Sequence, residues 1–262
     1  MVRIGISGAC GRMGRMIGGL ACAEKDLRVT AAVEHAGHPR IGEDFGVLAG
    51  AGAIGCRVTP RYEGGADVLI DFSSPEAAGA RIRECAAHRT AYVLGTTGLP
   101  SRVASDLRRL ARRVPVFQAS NMSVGVNVLI RFLPEIARML GDAYDVEIVE
   151  AHHRFKKDAP SGTALSLAGA IASGLRRDLK KVAVHGRSGL TGERTTKEIG
   201  LHAVRAGDIV GEHRILFGTL GETLEITHRA HSRELFARGA LRAARWLAGR
   251  KPGYYGMGDV LR

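Results

Sequence analysis

The stretch "VRIGISGACGRMGRMIGGL", Val2 to Leu20, decides how the first half of the chain is built. A short apolar run ends at Gly8, and from Arg12 onward the residues read as a helix. Gly8, Gly11 and Gly14 lie between and within them as G-x-x-G-x-x-G, with Cys10 where the commoner G-x-G-x-x-G has a glycine. In a chain with 35 glycines that spacing alone says little. Its surroundings say more. The next apolar run, "RVTAAVE" (Arg28 to Glu34), alternates, is rich in β-branched residues, and ends in a carboxylate.

Three further strand-like runs follow. "ADVLIDFSS" (Ala66 to Ser74) leads into "PEAAGARIRECAAH", where Ser74 suits an N-cap and Pro75 the first helical position. "AYVLGTTG" (Ala91 to Gly98) leads into "PSRVASDLRRLARR", and "VPVFQASN" (Val114 to Asn121) comes next. Short apolar strands alternating with helices predict an α/β, doubly wound parallel sheet. In such a sheet a glycine turn lets the backbone approach a pyrophosphate at a helix N-terminus, and a carboxylate about twenty residues on holds the ribose. Gly8, Ala9, Cys10, Gly11, Arg12 and Met13 are the candidate phosphate loop, and Glu34 the candidate ribose ligand. The plainer reading is a glycine-rich tight turn with a surface glutamate. Gly95, Thr96 and Thr97, with Ala119, Ser120, Asn121 and Met122, fall at later strand ends and would share the same rim. A carboxylate at the ribose favours NADH over NADPH, while His35, Arg40 and Arg12 could offset it, so NADH, NADPH or both are the expected cofactors. The glycine-rich "HAGHPRIGEDFGVLAGAGAIG" after Glu34 shows no clear element.

Composition narrows the class. No apolar run is long enough to span a bilayer, and the amino terminus is too short and glycine-rich for a signal peptide, so a cytoplasmic protein is expected. Cys10, Cys22, Cys56 and Cys85 form no CxxC pair and read as buried free thiols. A net charge of +12 raises nucleic-acid binding, but the arginines are dispersed and aromatics are 5%. Such a charge equally attracts small polyanions, and no nucleic-acid partner is expected.

Past the middle, "YDVEIVEAHHR" (Tyr144 to Arg154) alternates as a strand. Unless the strand ends there, His152 and His153 face opposite ways along it and cannot easily grip one metal ion together; no HxH, HxxH or HExxH supplements them, so no metal site is expected. "FKKDAPSG" and a helix from "TALSLAGAIASGL" follow, with Ser161 and Thr163 as capping candidates. Two readings fit. One is a solvated strand-loop-helix junction. The other is a carboxylate pocket, in which the backbone at Gly162 and Thr163 meets an anion and His152, His153 and Lys156 supply positive charge and a proton. "HAVRAGDIVGEHRILFGTLGETLEITHRA" reads as antiparallel hairpin strands, and "ELFARGALRAARWLAGR" as one amphipathic helix.

"EAHHRFKKDAPSGTAL" (Glu150 to Leu165) closely resembles the signature of the 4-hydroxy-tetrahydrodipicolinate (dihydrodipicolinate) reductase family of bacterial lysine biosynthesis. The resemblance runs nearly end to end, through "GACGRMGRMI", "GTTG", "NMSVGVNVL", "GERTTKEIGLHAVRAGDIVGEH", "GETLEITHRAHSRELFARGAL" and "YGMGDVL". It implies a Rossmann-like dinucleotide-binding domain, 1–122 completed by 234–262, and a smaller α+β domain with a mixed sheet, 123–233, for substrate binding and tetramerisation. It further implies a cyclic dicarboxylate substrate, hydride transfer to C4 of its ring, and a proton added at the neighbouring carbon. His152 takes the place of the proton donor/acceptor, Lys156 that of a proton donor, and His153 that of a substrate-binding histidine. Gly162 and Thr163 match the pair that holds a substrate carboxylate. Some members carry an arginine after the ribose glutamate; here that position is His35. Two alternatives stand beside this reading: another NAD(P)H-dependent amino or imino acid dehydrogenase on the same plan, and an NAD-sensing DNA-binding module.

Overall fold

The computed structural model describes residues 1–262, which form two compact units: Met1–Val124 with Glu234–Arg262, and Gly125–Arg233. In the first unit β1 (Val2–Ser7), α1 (Arg12–Ala23), β2 (Leu27–Val33), α2 (Phe45–Leu48) and β3 (Val58–Thr59) come first. They are followed by β4 (Val68–Asp71), α3 (Pro75–His88), β5 (Ala91–Leu94), α4 (Ser101–Leu110) and β6 (Pro115–Gln118). The chain leaves along α5 (Val124–Leu140). The second unit then adds β7 (Asp145–His152), α6 (Gly162–Gly174), α7 (Leu179–Val182), β8 (Ala183–His185), β9 (Ile199–Arg205), β10 (Gly211–Thr219) and β11 (Glu222–Ala230). Helix α8 (Glu234–Leu247), β12 (Gly253–Tyr255) and α9 (Met257–Val260) belong to the first unit again. No helix is long and apolar enough to cross a membrane.

The first sheet is parallel throughout, in the order β12-β6-β5-β4-β1-β2-β3. Strands buried on both faces read as unbroken apolar runs, and every residue of β4 and β5 is buried. Ile4, Ile6, Val68, Ile70 and Val93 face α1 and α8 on one side; Leu69, Tyr92, Leu94 and Val116 face α3 and α4 on the other. Helix α8 buries Ala237, Ala240, Ala243 and Ala244, small side chains that permit close approach, and Arg245 pairs with Asp26 at 2.6 Å and Glu24 at 3.2 Å. Ser74 caps α3 by accepting the Ala77 N–H, with Pro75 at the first turn. The glycine-rich stretch after Glu34 contains one organised turn, α2, whose cap Asp44 accepts from Gly46, Val47, Ile54 and Gly55.

The second sheet has the order β11-β10-β7-β9-β8 and is mixed. Strands β10 and β11 form the expected hairpin, closed by Leu220 and Gly221, the latter at φ 92. The expected hairpin between β9 and β10 does not exist. Strand β9 runs parallel to β7, and β10 lies on the other edge of β7, antiparallel to it. Alternation marks which residues face the core, not which neighbour a strand takes, so Ile199 and Leu201 carry the same pattern in either arrangement. Leu133, Ala137, Leu167 and Ile171, from α5 and α6, pack on Val146, Ile148, Ile215 and Phe217.

All four cysteines are free, but only Cys56 and Cys85 are buried. Cys10 sits in the glycine turn and Cys22 near the end of α1, and both are half-exposed, which corrects the expectation of four buried thiols.

Candidate active site

Within the first unit, backbone bonds join the C-terminal strand ends one after another. The Gly8 and Ala9 N–H groups donate to Val33 O at 3.0 and 3.1 Å, and Phe72 N–H to Ser7 O at 3.2 Å. Gly95 N–H donates to Asp71 O at 2.9 Å, and Ala119 N–H to Leu94 O at 3.2 Å. The segments from β1, β2, β5 and β6 anticipated in the sequence therefore lie on one rim. The glycine turn stands where β1 meets β4, the point at which strand order reverses and ligands of such sheets bind. Gly8 has φ +73, and a Cβ there would meet Phe72 O at 2.8 Å; a Cβ on Gly14 would lie 2.1 Å from Gly8 O. The first glycine permits the turn and the third seats the helix against it.

Glu34 reaches across this turn: Oε2 accepts the Cys10 N–H at 3.0 Å and Oε1 its neighbour's, from His35, at 3.1 Å. Glu34, His35, Gly8 and Gly11 line a cavity of about 490 Å³ together with Ser73, Ser74, Ala77 and Arg81. The last four were not anticipated; Ser74, Ala77 and Arg81 share one face of α3, a spacing visible in the sequence but common to any helix. Arg40 already pairs with Glu43 at 3.1 Å, and His35 stacks edge-on against His38. Asp71, fully buried at the end of β4, accepts from the Ser73 amide and hydroxyl and from the Tyr92 hydroxyl, pinning the turn that carries Ser73. Thr96 is buried and its hydroxyl has no hydrogen-bond partner. An open glycine turn, a carboxylate, a cavity and an orphaned hydroxyl on one rim fit a dinucleotide.

Within the second unit, β7 ends at His152, and the chain passes through the Lys156 loop and Pro160 to α6. Ser161 is the N-cap, its hydroxyl accepting the Ala164 N–H at 3.1 Å. Of the two capping candidates it is the one used, and Thr163 lies inside the first turn beside Gly162. The organising group is one absent from the expected set. Glu150, 1% exposed, places Oε2 2.5 Å from His152 Nδ1 and accepts the Ser161 N–H on Oε1 at 3.0 Å. Arg205 grips both oxygens at 2.8 and 2.9 Å and donates to Asp158 O at 2.6 Å. Lys156 Nζ pairs with the Asp158 carboxylate at 2.9 Å. His153 stands outside this network; its Nδ1 is buried with no partner, and its ring lies 6.2 Å from Phe155.

Charge follows geometry. Burial pushes the Glu150 carboxyl up, but hydrogen bonds from Arg205, His152 and the Ser161 amide bring it below its ordinary value. Burial lowers the His152 imidazole; Glu150 opposes that, while Lys156 and Arg205 reinforce it. His213, on β10, stacks edge-on at 5.3 Å from His152 and meets the Ser161 hydroxyl at 3.2 Å. Burial, then the nearby His152, pushes it down to about 4. A Cβ on Gly211 would lie 3.2 Å from His152 Nε2, so the bare backbone there leaves room around that nitrogen. No group of three or more His, Cys, Asp or Glu stands together as a metal site would require.

A doubly wound parallel sheet with a glycine turn at its switch point, joined to a unit built around a histidine and a capped helix, places the chain among two-unit, dinucleotide-dependent oxidoreductases. Family models described as dihydrodipicolinate reductase, N-terminus and C-terminus, match residues 2–122 and 125–261. A 4-hydroxy-tetrahydrodipicolinate reductase from Citrifermentans bemidjiense is 47% identical over 264 residues, covering 100% of this chain and 99% of that protein. The protein of the same name from Geobacter sulfurreducens is 46% identical over the same span, with 100% and 99% covered. The chain belongs to the dihydrodipicolinate reductase family. Among solved structures, a dipicolinate-bound dihydrodipicolinate reductase from a Paenisporosarcina species shares the fold at TM-score 0.76 and 22% identity, with 99% of each chain covered. A probable dehydrogenase from Thermotoga maritima shares it at TM-score 0.60 and 12% identity, with 99% of this chain and 92% of that one covered.

The buried His213 predicts acid sensitivity. It is neutral in the fold, whereas the unfolded chain takes up a proton below about pH 6.5. Stability therefore falls as pH drops from about 6.5 towards 4, by on the order of 3 kcal/mol over the whole window. His152 and His228, also lowered by burial, act in the same direction. Urea unfolding midpoints at pH 7.5 and 5 should differ in wild type and differ less in His213→Asn; equal midpoints in wild type would contradict this account.

Proposed function

We propose that this chain reduces 4-hydroxy-tetrahydrodipicolinate to tetrahydrodipicolinate, with loss of water, in the diaminopimelate route to lysine. The observation that supports this reading most directly is the pairing of His152 with Glu150 beside the capped start of α6, in a chain alike over its whole length to reductases of that name. The dinucleotide, when bound, supplies a hydride to C4 of the substrate ring.

The roles assigned to this chain's residues are these. Gly162 and Thr163, in the first turn of α6, bind a substrate carboxylate at the positive end of the helix. His153, with its orphaned Nδ1, supplies a second polar contact to the substrate. His152 exchanges a proton at Nε2, and its lowered pKa keeps it neutral at pH 7 and able to act in either direction. Lys156, held by Asp158, is the second proton source.

Gly8, Ala9, Cys10, Gly11, Arg12 and Met13 form the pyrophosphate loop. Gly95, Thr96 and Thr97, and Ala119, Ser120, Asn121 and Met122, line the nicotinamide end. Glu34 holds the ribose hydroxyls. With Arg40 engaged by Glu43 and His35 in the discriminating place, NADH is the better cofactor and NADPH is accepted. The Met1–Val124 and Glu234–Arg262 unit is the nucleotide domain and Gly125–Arg233 the substrate and assembly domain. A cytoplasmic homotetramer assembled through the latter completes the reading, supported by Val204 and Leu224, which that domain leaves exposed on its strands.

NADH oxidation should depend on the condensation product of pyruvate and aspartate semialdehyde; turnover only with some other imine or carbonyl would favour a different dehydrogenase. His152→Gln should lower kcat by about two orders of magnitude with little change in cofactor affinity, and near-normal kcat would remove its proton-transfer role. Glu34→Ala should weaken NADH more than NADPH in parallel titrations, whereas the reverse order would overturn the ribose assignment. Light scattering on the full chain should give four times the 27.9 kDa subunit mass; a monomer at micromolar concentration would exclude the tetramer.

A further inference from the structure

Glu150 is a carboxylate taken almost wholly out of water, and everything around it is a donor. Arg205 reaches it from the end of β9, in register with His152 on β7. The Ser161 amide reaches it from the N-cap of α6. His152 Nδ1 completes the set at 2.5 Å. A carboxylate already receiving a guanidinium and an amide N–H keeps its charge, and an ionised carboxylate can only accept. The proton in the Glu150–His152 contact therefore resides on Nδ1.

That assignment has a consequence at the other nitrogen. With Nδ1 protonated, neutral His152 has its lone pair on Nε2, the atom facing the bare backbone of Gly211. When Nε2 carries a proton, the resulting imidazolium keeps its carboxylate partner. Arg205 meanwhile balances Glu150, so the pair does not hold the second proton permanently. The remaining charged or titratable neighbours are Lys156, which opposes a charge on His152, and His213.

We propose that Glu150, balanced by Arg205, is the positioning residue for proton transfer: it locks His152 as the Nδ1–H tautomer, presents Nε2 to the substrate, and ties that ring to the start of α6. This rests on the reading of His152 as the proton-transfer group. The Ser161 link makes one carboxylate the common anchor of that ring and of the helix turn given to the substrate carboxylate. The Arg205 link to Asp158 O extends the same anchor to the loop that bears Lys156.

Long-range proton–nitrogen NMR on the full, ¹⁵N-histidine-labelled chain at pH 7.5 reads the tautomer directly, with His152→Gln identifying the resonances. Wild type should show His152 protonated at Nδ1 and unprotonated at Nε2. A carboxamide can donate as well as accept, so Glu150→Gln should give a mixture of tautomers and lower kcat by about tenfold to a hundredfold, no more than the loss of His152 itself, through which Glu150 acts. The substrate KM should stay within about threefold, because the α6 backbone remains in place, and Glu150→Asp should recover part of the kcat. His152 protonated at Nε2 in wild type overturns the proposal whether or not the variant folds. So does a folded Glu150→Gln enzyme with kcat within threefold of wild type. Absence of reductase turnover in wild type would instead sink the functional reading, leaving the tautomer result to decide the positioning role.

Discussion

A carboxylate loses several kcal/mol of hydration when it is moved out of water, and it stays ionised only where donors replace that hydration. Glu150 is 1% exposed and meets this demand with four donors drawn from three elements. The second unit is arranged accordingly. Strand β9 must lie beside β7 for Arg205 to reach the carboxylate, α6 must start close to the end of β7 for the Ser161 amide to do so, and His152 must turn its Nδ1 edge inward. Loss of any one donor would leave a buried charge under-compensated, so these placements hold one another.

The first unit solves a different problem by different means. Its rim is built from backbone, with each parallel strand end bonded to the next from Val33 through Ser7 and Asp71 to Leu94. Backbone groups cannot be tuned by side-chain chemistry. The residues that stand out there are the ones that fit between them: glycines where a Cβ would strike Phe72 O or Gly8 O, a glutamate that accepts from the turn, and a threonine hydroxyl with no partner of its own. Position on this rim comes from the sheet.

Much of this was legible along the chain because the signals are local. Ser74 before Pro75, Ser161 before an apolar run, and glycines between a strand and a helix each act over a turn or less, and the structure shows each in use. The parallel sheet followed from short apolar runs spaced by helices. Other features were hidden because they join distant segments. The β9 strand alternates as a hairpin partner would, yet it crosses β7 to its far side. Asp44 looked like one charge in a glycine-rich stretch, but it caps α2 and gathers two amides from ten residues further on. Asp71 and Tyr92 carry no motif, and their contact exists only because β4 and β5 are neighbours.

The sequence by itself determined the strand and helix alternation, the glycine turn with its carboxylate, and, through resemblance, which histidine and lysine to watch. Those are properties of residue order, since propensity, capping and motif spacing need no distant partner. Only the tertiary structure decided that Glu150 is buried, that Arg205 balances it, and that His213 stands against the ring of His152. A glutamate in an alternating strand is ordinarily a solvent-facing residue. It became the anchor of the site because β9 and the start of α6 close over it and bring their donors, and the proton arrangement on His152 is set by that enclosure.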